Sequence, residues 1–244
     1  METSVKNQPE GEEYAYPMRI NKYLALKKYS TRVGADELIK DGKVFINGRL
    51  ATLGEKINKG DKVTVKTETK NKAYNYFAYN KPKGVISHSP KKGEKDIAQS
   101  TSLKNIFPIG RLDKNSRGLI ILTNDGRVTD RLLNPKYSHD KEYVVTTTNK
   151  ISPSFKNKME SGVNIGGYKT QKCSLSLLGE KTFKIILTEG KKHQIRRMCA
   201  ALKNDVLDLK RIRIMNIRLH NLGEGQHRSI KGEELQKFLK NIGL

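Results

Sequence analysis

Apolar residues recur along this chain in two alternating rhythms. From Arg19 a helical spacing sets in. Ile20, Tyr23 and Leu24 share one face, and Ala35, Leu38 and Ile39 line a second short helix that Thr31 would cap and Gly42 would end. Gly34 stands where a capping box would place Glu or Gln. Strand signals follow. Val44-Phe45-Ile46 leads into the tight turn Asn47-Gly48 and returns through Arg49-Leu50-Ala51, and Val63 and Val65 alternate beyond Gly60-Asp61. Two short helices and a small sheet are expected over 18–65.

After the polar stretch 66–73, which reads as a linker, residues 74–79 read as an aromatic strand and 80–84 as a sharp turn, with Val85 and Ile86 resuming a strand. Leu103 and Ile106 suit a short helical turn. Residues 107–126 then form a glycine-punctuated loop, a buried strand (Leu119-Ile120-Ile121-Leu122) and a turn at Thr123-Asn124-Asp125-Gly126. Val128, Leu132 and Leu133 suit a helix stopping at Asn134-Pro135. Tyr143-Val144-Val145-Thr146 is a strand, and Ser152-Pro153 opens a helix that buries Phe155 and Met159 and ends at Gly162. Cys173, Leu175 and Leu177 alternate, as do Phe183, Ile185 and Leu187, which predicts two neighbouring antiparallel strands. Ile195, Met198, Cys199 and Leu202 share a helical face, making Cys199 a buried thiol and not a nucleophile. Residues 206–217 read as sheet flanked by RNA-facing cations, among them Lys210, Arg211 and Arg213. A final helix carries Leu235, Phe238 and Leu239. Strands separated by helices favour an α+β domain with a mixed, largely antiparallel sheet over 74–244.

Charge adds a partner to this picture. Lys and Arg number 48 against 25 Asp and Glu, a net +23, far more than solubility needs. A polyanion is implied. The basic residues are spread over the chain and not gathered on one amphipathic helix, which favours nucleic acid over an anionic membrane. No segment approaches 18 apolar residues, and 1–17 are acidic and lack an apolar run, so they read as a disordered tail and not a secretory signal. Two cysteines, Cys173 and Cys199, are too few for a metal cluster or disulfide scaffold, and a reduced, cytoplasmic setting is expected.

Within 107–126, Asp113 sits among Arg111, Lys114 and Arg117. It is either a surface aspartate in ordinary ion pairs or a carboxylate placed where an anionic ligand is recruited. In 18–65 the cations Arg19, Lys22, Lys27, Lys28, Arg32, Lys40 and Lys43 suit a phosphate backbone or a solvated face.

Residues 18–65 resemble an S4 RNA-binding domain. Where that family commonly has Ser-Arg-Arg-Glu-Ala-Asp, this chain has Thr31-Arg32-Val33-Gly34-Ala35-Asp36, keeping Arg32 and Asp36 and losing the second Arg and the Glu. The larger domain resembles the pseudouridine synthases, in the branch of bacterial ribosomal enzymes that carry an S4 domain. Four motifs in order carry this likeness: Lys81-Pro82-Lys83-Gly84; residues 110–119 around Arg111-Leu112-Asp113; Lys141-Glu142-Tyr143; and Glu189-Gly190-Lys191-Lys192-His193-Gln194-Ile195-Arg196-Arg197-Met198. The resemblance implies isomerisation of uridine to pseudouridine in structured RNA, without cofactor, metal or obligate protein partner, by a monomer.

It further implies that Asp113 is the catalytic carboxylate, working at ribose C1′, by way of a glycal, or at uracil C6. Arg196 would pair with Asp113 and orient it, and Tyr143 would stack on the extruded uracil. Arg111 would extrude the nucleotide or hold its phosphate, Ile195 would wall the base, and the turn lysines Lys81 and Lys83 would contact substrate. Arg197 would hold a phosphate or have a structural role. Asn115 and Ser116 would shape the loop through their side chains. His139 is not required by the reaction, and His193 would shape the loop of the last motif or the start of the helix after it. The likeness is greatest to a large-subunit enzyme acting on a 23S rRNA stem-loop near the peptidyl-transferase region that also takes tyrosine tRNA. Other rRNA or tRNA sites, and a noncatalytic rRNA-binding or assembly protein, are the alternatives. A base methyltransferase finds no glycine-rich βα signature.

Overall fold

The computed structural model describes residues 15–27, 29–30, 32–66 and 74–244. Thr31, Lys28 and the stretches 1–14 and 67–73 lie outside the described residues, and with them the helix cap, one RNA-contact expectation and most of the expected tail and linker. The chain divides into two compact units, Met1–Ala73 and Tyr74–Leu244.

In the first unit, β1 (Met18–Arg19) leads into α1 (Ile20–Leu26) and α2 (Arg32–Lys40), followed by β2 (Val44–Ile46), β3 (Arg49–Leu50), β4 (Lys56–Ile57) and β5 (Val63–Val65). The small sheet runs β3-β2-β5, and β1 pairs with β4. Asn47 and Gly48 both take positive φ, the mirror-image turn that fits the twist of the β2–β3 hairpin. Asp36 accepts from Asn21 Nδ2 at 2.9 Å, tying α2 to α1. Ile20, Leu24, Ala35 and Ile39 pack on Val44, Ile46, Val63 and Val65 in one core. Tyr16 packs against it too, so the expected tail gives way to folded chain before residue 18.

The second unit contains β6 (Tyr76–Lys81), α3 (Ile97–Ser100), β7 (Phe107–Ile109), β8 (Arg117–Thr123), α4 (Arg127–Leu133), β9 (Lys141–Thr147), α5 (Phe155–Glu160), β10 (Ser174–Leu177) and β11 (Thr182–Leu187). It continues through α6 (Gln194–Ala201), β12 (Val206–Ile214), β13 (Ile217–Arg218), β14 (His227–Ser229) and α7 (Gly232–Asn241). The sheet order is β10-β11-β9-β12-β8-β6-β14, with β7 beside β8 and β13 beside β12. Only β12 against β8 is parallel among the pairs described. The apolar run of β8 is explained by burial on both faces. Leu119 and Ile121 join the core under α4 and α7, while Ile120 and Leu122 meet Tyr79 and Ile97 on the other side. A third core gathers Val145, Phe183, Ile185 and Leu209 with Phe155, Met159, Ile195, Met198 and Cys199 of α5 and α6. No described helix is long and apolar enough to cross a membrane.

Several local expectations change. Residues 107–109 are not loop but strand, paired with β8. The short helix near residue 100 starts at Asp96, which with Gln99 makes a capping box, and Leu103 and Ile106 pack as loop residues. Residues 85–86 make only an isolated bridge with Asp96. Strand β6 runs on through Asn80 and Lys81, residues expected in the turn, because both still find ladder partners on β8 before Pro82 interrupts. Arg211 is buried and Arg213 is held by Asp140 and Glu142, so neither is the exposed flanking cation that the sequence suggests.

Candidate active site

The loop that carries Asp113 is held from three sides. Residues beyond the end of β6 form the first clamp: Gly84 N–H donates to Lys114 O at 2.8 Å. Buried Ser87 takes the N–H of Leu112 and donates its hydroxyl to the same residue's carbonyl, both at 2.9 Å. Within the loop, Ser116 N–H closes onto Asp113 O at 2.9 Å. On the far side Arg117 makes a forked pair with Asp208 of β12, at 2.8 to 3.1 Å, and reaches Glu224 at 3.0 Å. Asn115 and Ser116 thus shape the loop through their backbones. The Ser116 hydroxyl is buried without a partner.

The third support is Arg196. The expected ion pair with Asp113 is not formed. Its Nη1 donates to Val206 O at 2.9 Å and its Nη2 to Asn115 O at 3.0 Å. Two carbonyls occupy the guanidinium, which therefore acts on the aspartate through the loop backbone. The Asp113 carboxylate, its side chain 40% exposed, meets His193 Nε2 at 3.4 Å. His193 opens α6 in a left-handed conformation, φ 53°. The place at the helix start is the one expected for this histidine, but nothing in the sequence points to its contact with Asp113.

That motif is mostly scaffolding. Glu189 accepts from Gln171 N–H at 2.9 Å, from Gln194 Nε2 at 2.7 Å and from the Tyr168 hydroxyl, while Gln194 Oε1 accepts from Lys191 N–H at 2.9 Å. These bonds fix the turn before α6 and so the base of Arg196. Arg197 donates to Ile165 O, a structural role and not the phosphate contact.

The sheet register completes the site. Lys81 pairs with Gly118, Gly118 with Arg211, and Arg211 with Tyr143. Paired residues share a face, so Lys81, Arg211 and Tyr143 form one row across β6, β8, β12 and β9 beside the Asp113 loop. Gly118 is required there. Its φ is +106°, and a Cβ would lie 2.3 Å from Arg211 O. Tyr143 is half-buried against the core that contains Ile195, and its hydroxyl bonds no described residue. Ile195 is buried in that core.

Lys81 is 0% exposed, which corrects the expectation that it contacts substrate. Its Nζ donates to Pro82 O at 2.8 Å and Val85 O at 2.6 Å. Burial pushes its pKa down to about 8, against the pull of the Asp113 charge and with a further push from Arg211. Lys83 is exposed on the turn. Of the cations around Asp113 in sequence, Lys114 pairs with Glu94 and Arg117 with Asp208 and Glu224. Arg111 is exposed and bonds no described residue. The loop cations are therefore spent on other carboxylates or left open to solvent, and do not orient Asp113. His139 is engaged by Arg131 O at 2.9 Å. Burial raises the Cys199 thiol to about 12, consistent with a core residue.

In the first unit Arg19, Lys22 and Arg32 line one cleft of about 350 Å³, joined by Lys56, which sequence reasoning passed over. Lys40 and Lys43 are exposed elsewhere, Lys43 paired with Asp41 at 3.1 Å, and Lys27 lies over the Tyr23 ring.

Comparison with known proteins gives this geometry its context. Residues 75–201 match the RNA pseudouridylate synthase family and residues 18–63 the S4 domain. The dual-specificity RNA pseudouridine synthase RluF of Escherichia coli K12 is 38% identical over 231 residues, covering 92% of this chain and 79% of that protein. Ribosomal large subunit pseudouridine synthase B of Bacillus subtilis is 35% identical over 233 residues, covering 90% and 95%. A crystal structure of a pseudouridylate synthase superposes with TM-score 0.68 at 27% identity, covering 92% and 99%. With the synthase match lying on the mixed, largely antiparallel sheet, an S4 domain ahead of it in the chain, and relatives 35–38% identical over most of its length, the chain belongs to the RNA pseudouridine synthase family and is an enzyme of structured RNA.

Proposed function

We propose that the substrate is a uridine in a 23S rRNA stem-loop near the peptidyl-transferase region. The reading rests on the site and on the two relatives above, one named as a ribosomal large subunit enzyme. The observation that carries the chemistry is the row of Lys81, Arg211 and Tyr143 beside a loop that presents a single carboxylate, Asp113. Isomerisation breaks the N1–C1′ bond of uridine, turns the ring and joins C5 to C1′. Asp113 serves as the carboxylate at the sugar, Tyr143 as the platform for the extruded ring, and Arg196 as the brace of the loop. Arg111 and Lys83, exposed near the loop, hold phosphate or the extruded nucleotide. The cleft of Arg19, Lys22, Arg32 and Lys56 grips the backbone of the same RNA. A second RNA substrate is in keeping with the relative named as dual-specificity, and the tyrosine tRNA anticodon loop, which the family resemblance implies, is the candidate.

The test is a pseudouridine map of ribosomal and transfer RNA from cells with the wild-type protein, none, or Asp113→Ala. One 23S site missing in both mutant conditions is expected. A map that changes only in tRNA, or not at all, overturns the rRNA assignment.

A further inference from the structure

Arg211 is an unusual arginine. It is 4% exposed, yet it has one described hydrogen bond, from Nε to Leu119 O at 2.7 Å. Its Nη2 is buried without a partner, and no described carboxylate lies within ion-pair distance. Arg213, two residues on, is paired with Asp140 and Glu142 and also donates to Met215 O. The register explains the contrast. An irregularity between Arg211 and Arg213 pairs them with consecutive residues of β9, Tyr143 and Glu142, which point to opposite faces. Arg211 is thereby placed on the Tyr143 face, where its neighbours are cations. It lowers the pKa of both Lys81 and Lys141. Lys81 spends its donors on two carbonyls, and Lys141 donates to His139 O. A buried guanidinium with free donors and no anion is costly unless something arrives to use it.

The reaction supplies that anion. When N1–C1′ breaks at the sugar, the electron pair stays with N1, and uracil leaves as an anion delocalised over N1, O2 and O4. Asp113 either bonds C1′ or removes the C2′ proton. After rotation C5 bonds C1′ and the carboxylate or proton is returned. The C5 proton is lost and N1 is protonated, so the sum is an isomerisation.

We propose that Arg211 is a catalytic residue whose free Nη edge donates to a carbonyl oxygen of the target uracil as the N1–C1′ bond breaks. The inference rests on the pseudouridine synthase reading of Asp113 and Tyr143, whichever RNA is the substrate. Arg211 transfers no proton. Its role is to hold charge that exists only after cleavage, from a guanidinium that is itself buried, where such donors have their greatest effect on rate.

The test compares Arg211→Lys and Arg211→Met with wild type in single turnovers. The RNA is one that wild type converts, found with total RNA from a deletion strain. The target carries uridine or 5-fluorouridine, whose base is a more stable anion. Nuclease digestion and mass spectrometry read loss of the starting nucleoside. The uridine rate is expected to fall by about 100-fold, and the 5-fluorouridine rate by less than about tenfold, with RNA affinity and melting temperature unchanged. Equal losses on both substrates, no loss, or a loss that follows RNA affinity or melting overturns the proposal. If Arg211→Met does not fold, Arg211→Lys, which keeps a buried cation, decides. A wild-type protein that converts no RNA overturns the functional reading itself.

Discussion

The guanidinium of Arg196 donates to the carbonyl of Asn115 at 3.0 Å, two residues beyond Asp113, and to Val206 O at 2.9 Å. It thus ties the catalytic loop to the start of β12 without touching the carboxylate. A lysine at this position cannot bridge two carbonyls with a planar fork. Arg196→Lys is expected to lower kcat by about 10- to 100-fold, because a loop displaced by a fraction of an ångström misplaces the Asp113 carboxylate. RNA affinity should stay near the wild-type value. Weakened RNA binding at unchanged kcat would make Arg196 a phosphate contact instead.

Periodicity made much of the fold legible. The unbroken apolar run of β8, the alternation of β10 and β11 and the helical face of α6 are local patterns, and the structure has those elements. The four motifs located the loop of Asp113 and the strand of Tyr143. The contacts were hidden because they depend on register between distant segments. Nothing near Arg211 in sequence says that it pairs with Gly118 on one side and Tyr143 on the other. Lys81 and Arg211 look like surface charges in a chain of net +23, yet both are buried. Arg196 lay in the right motif, but which oxygen it meets is set by where β12 begins.

Gly118 tests how tightly that register is packed. Gly118→Ala would place a methyl 2.3 Å from Arg211 O at φ +106°. Both the strand pairing and the row beneath the site would have to yield, at a cost of about 2–4 kcal/mol. Gly84→Ala, at φ +90° with nothing within 4 Å, meets only backbone strain, about 1–2 kcal/mol. Urea denaturation should rank the two variants in that order. Equal destabilisation would mean that the β8–β12 approach relaxes freely.

Lys81 makes stability depend on pH in an uncommon direction. Its pKa is about 8 in the folded chain, depressed by burial from 10.5. Between those values the unfolded chain binds more protons than the folded one, so this residue's contribution to stability rises with pH. Below the folded pKa the cost of burying the charge is present in full. Relative to Lys81→Met, wild type should gain about 2 kcal/mol between about pH 7 and pH 10, since a tenfold difference in proton affinity between the two states is worth about 1.4 kcal/mol. Parallel denaturation series of the two proteins read this difference. A difference independent of pH would show that Lys81 titrates as an exposed lysine does.

The cleft of the first unit predicts a salt dependence. Arg19, Lys22, Arg32 and Lys56 line it together, and none of the four forms a described ion pair, so each is available to a phosphate. Releasing one condensed counterion per contact gives a slope of log K against log salt that falls by about 0.7–0.9 for each cation removed. Lys22→Ala with Arg32→Ala should therefore reduce the slope by about 1.5 and weaken binding of matched and unmatched RNA stem-loops alike. Turnover at saturating RNA should be preserved, since the uridine is handled by the other unit. Lys43→Ala, whose cation is already paired with Asp41, should change the slope least. A double variant that binds with an unaltered slope would remove this cleft from the RNA interface. One that loses discrimination between stem-loops at constant slope would make it a reader of base or shape instead of charge.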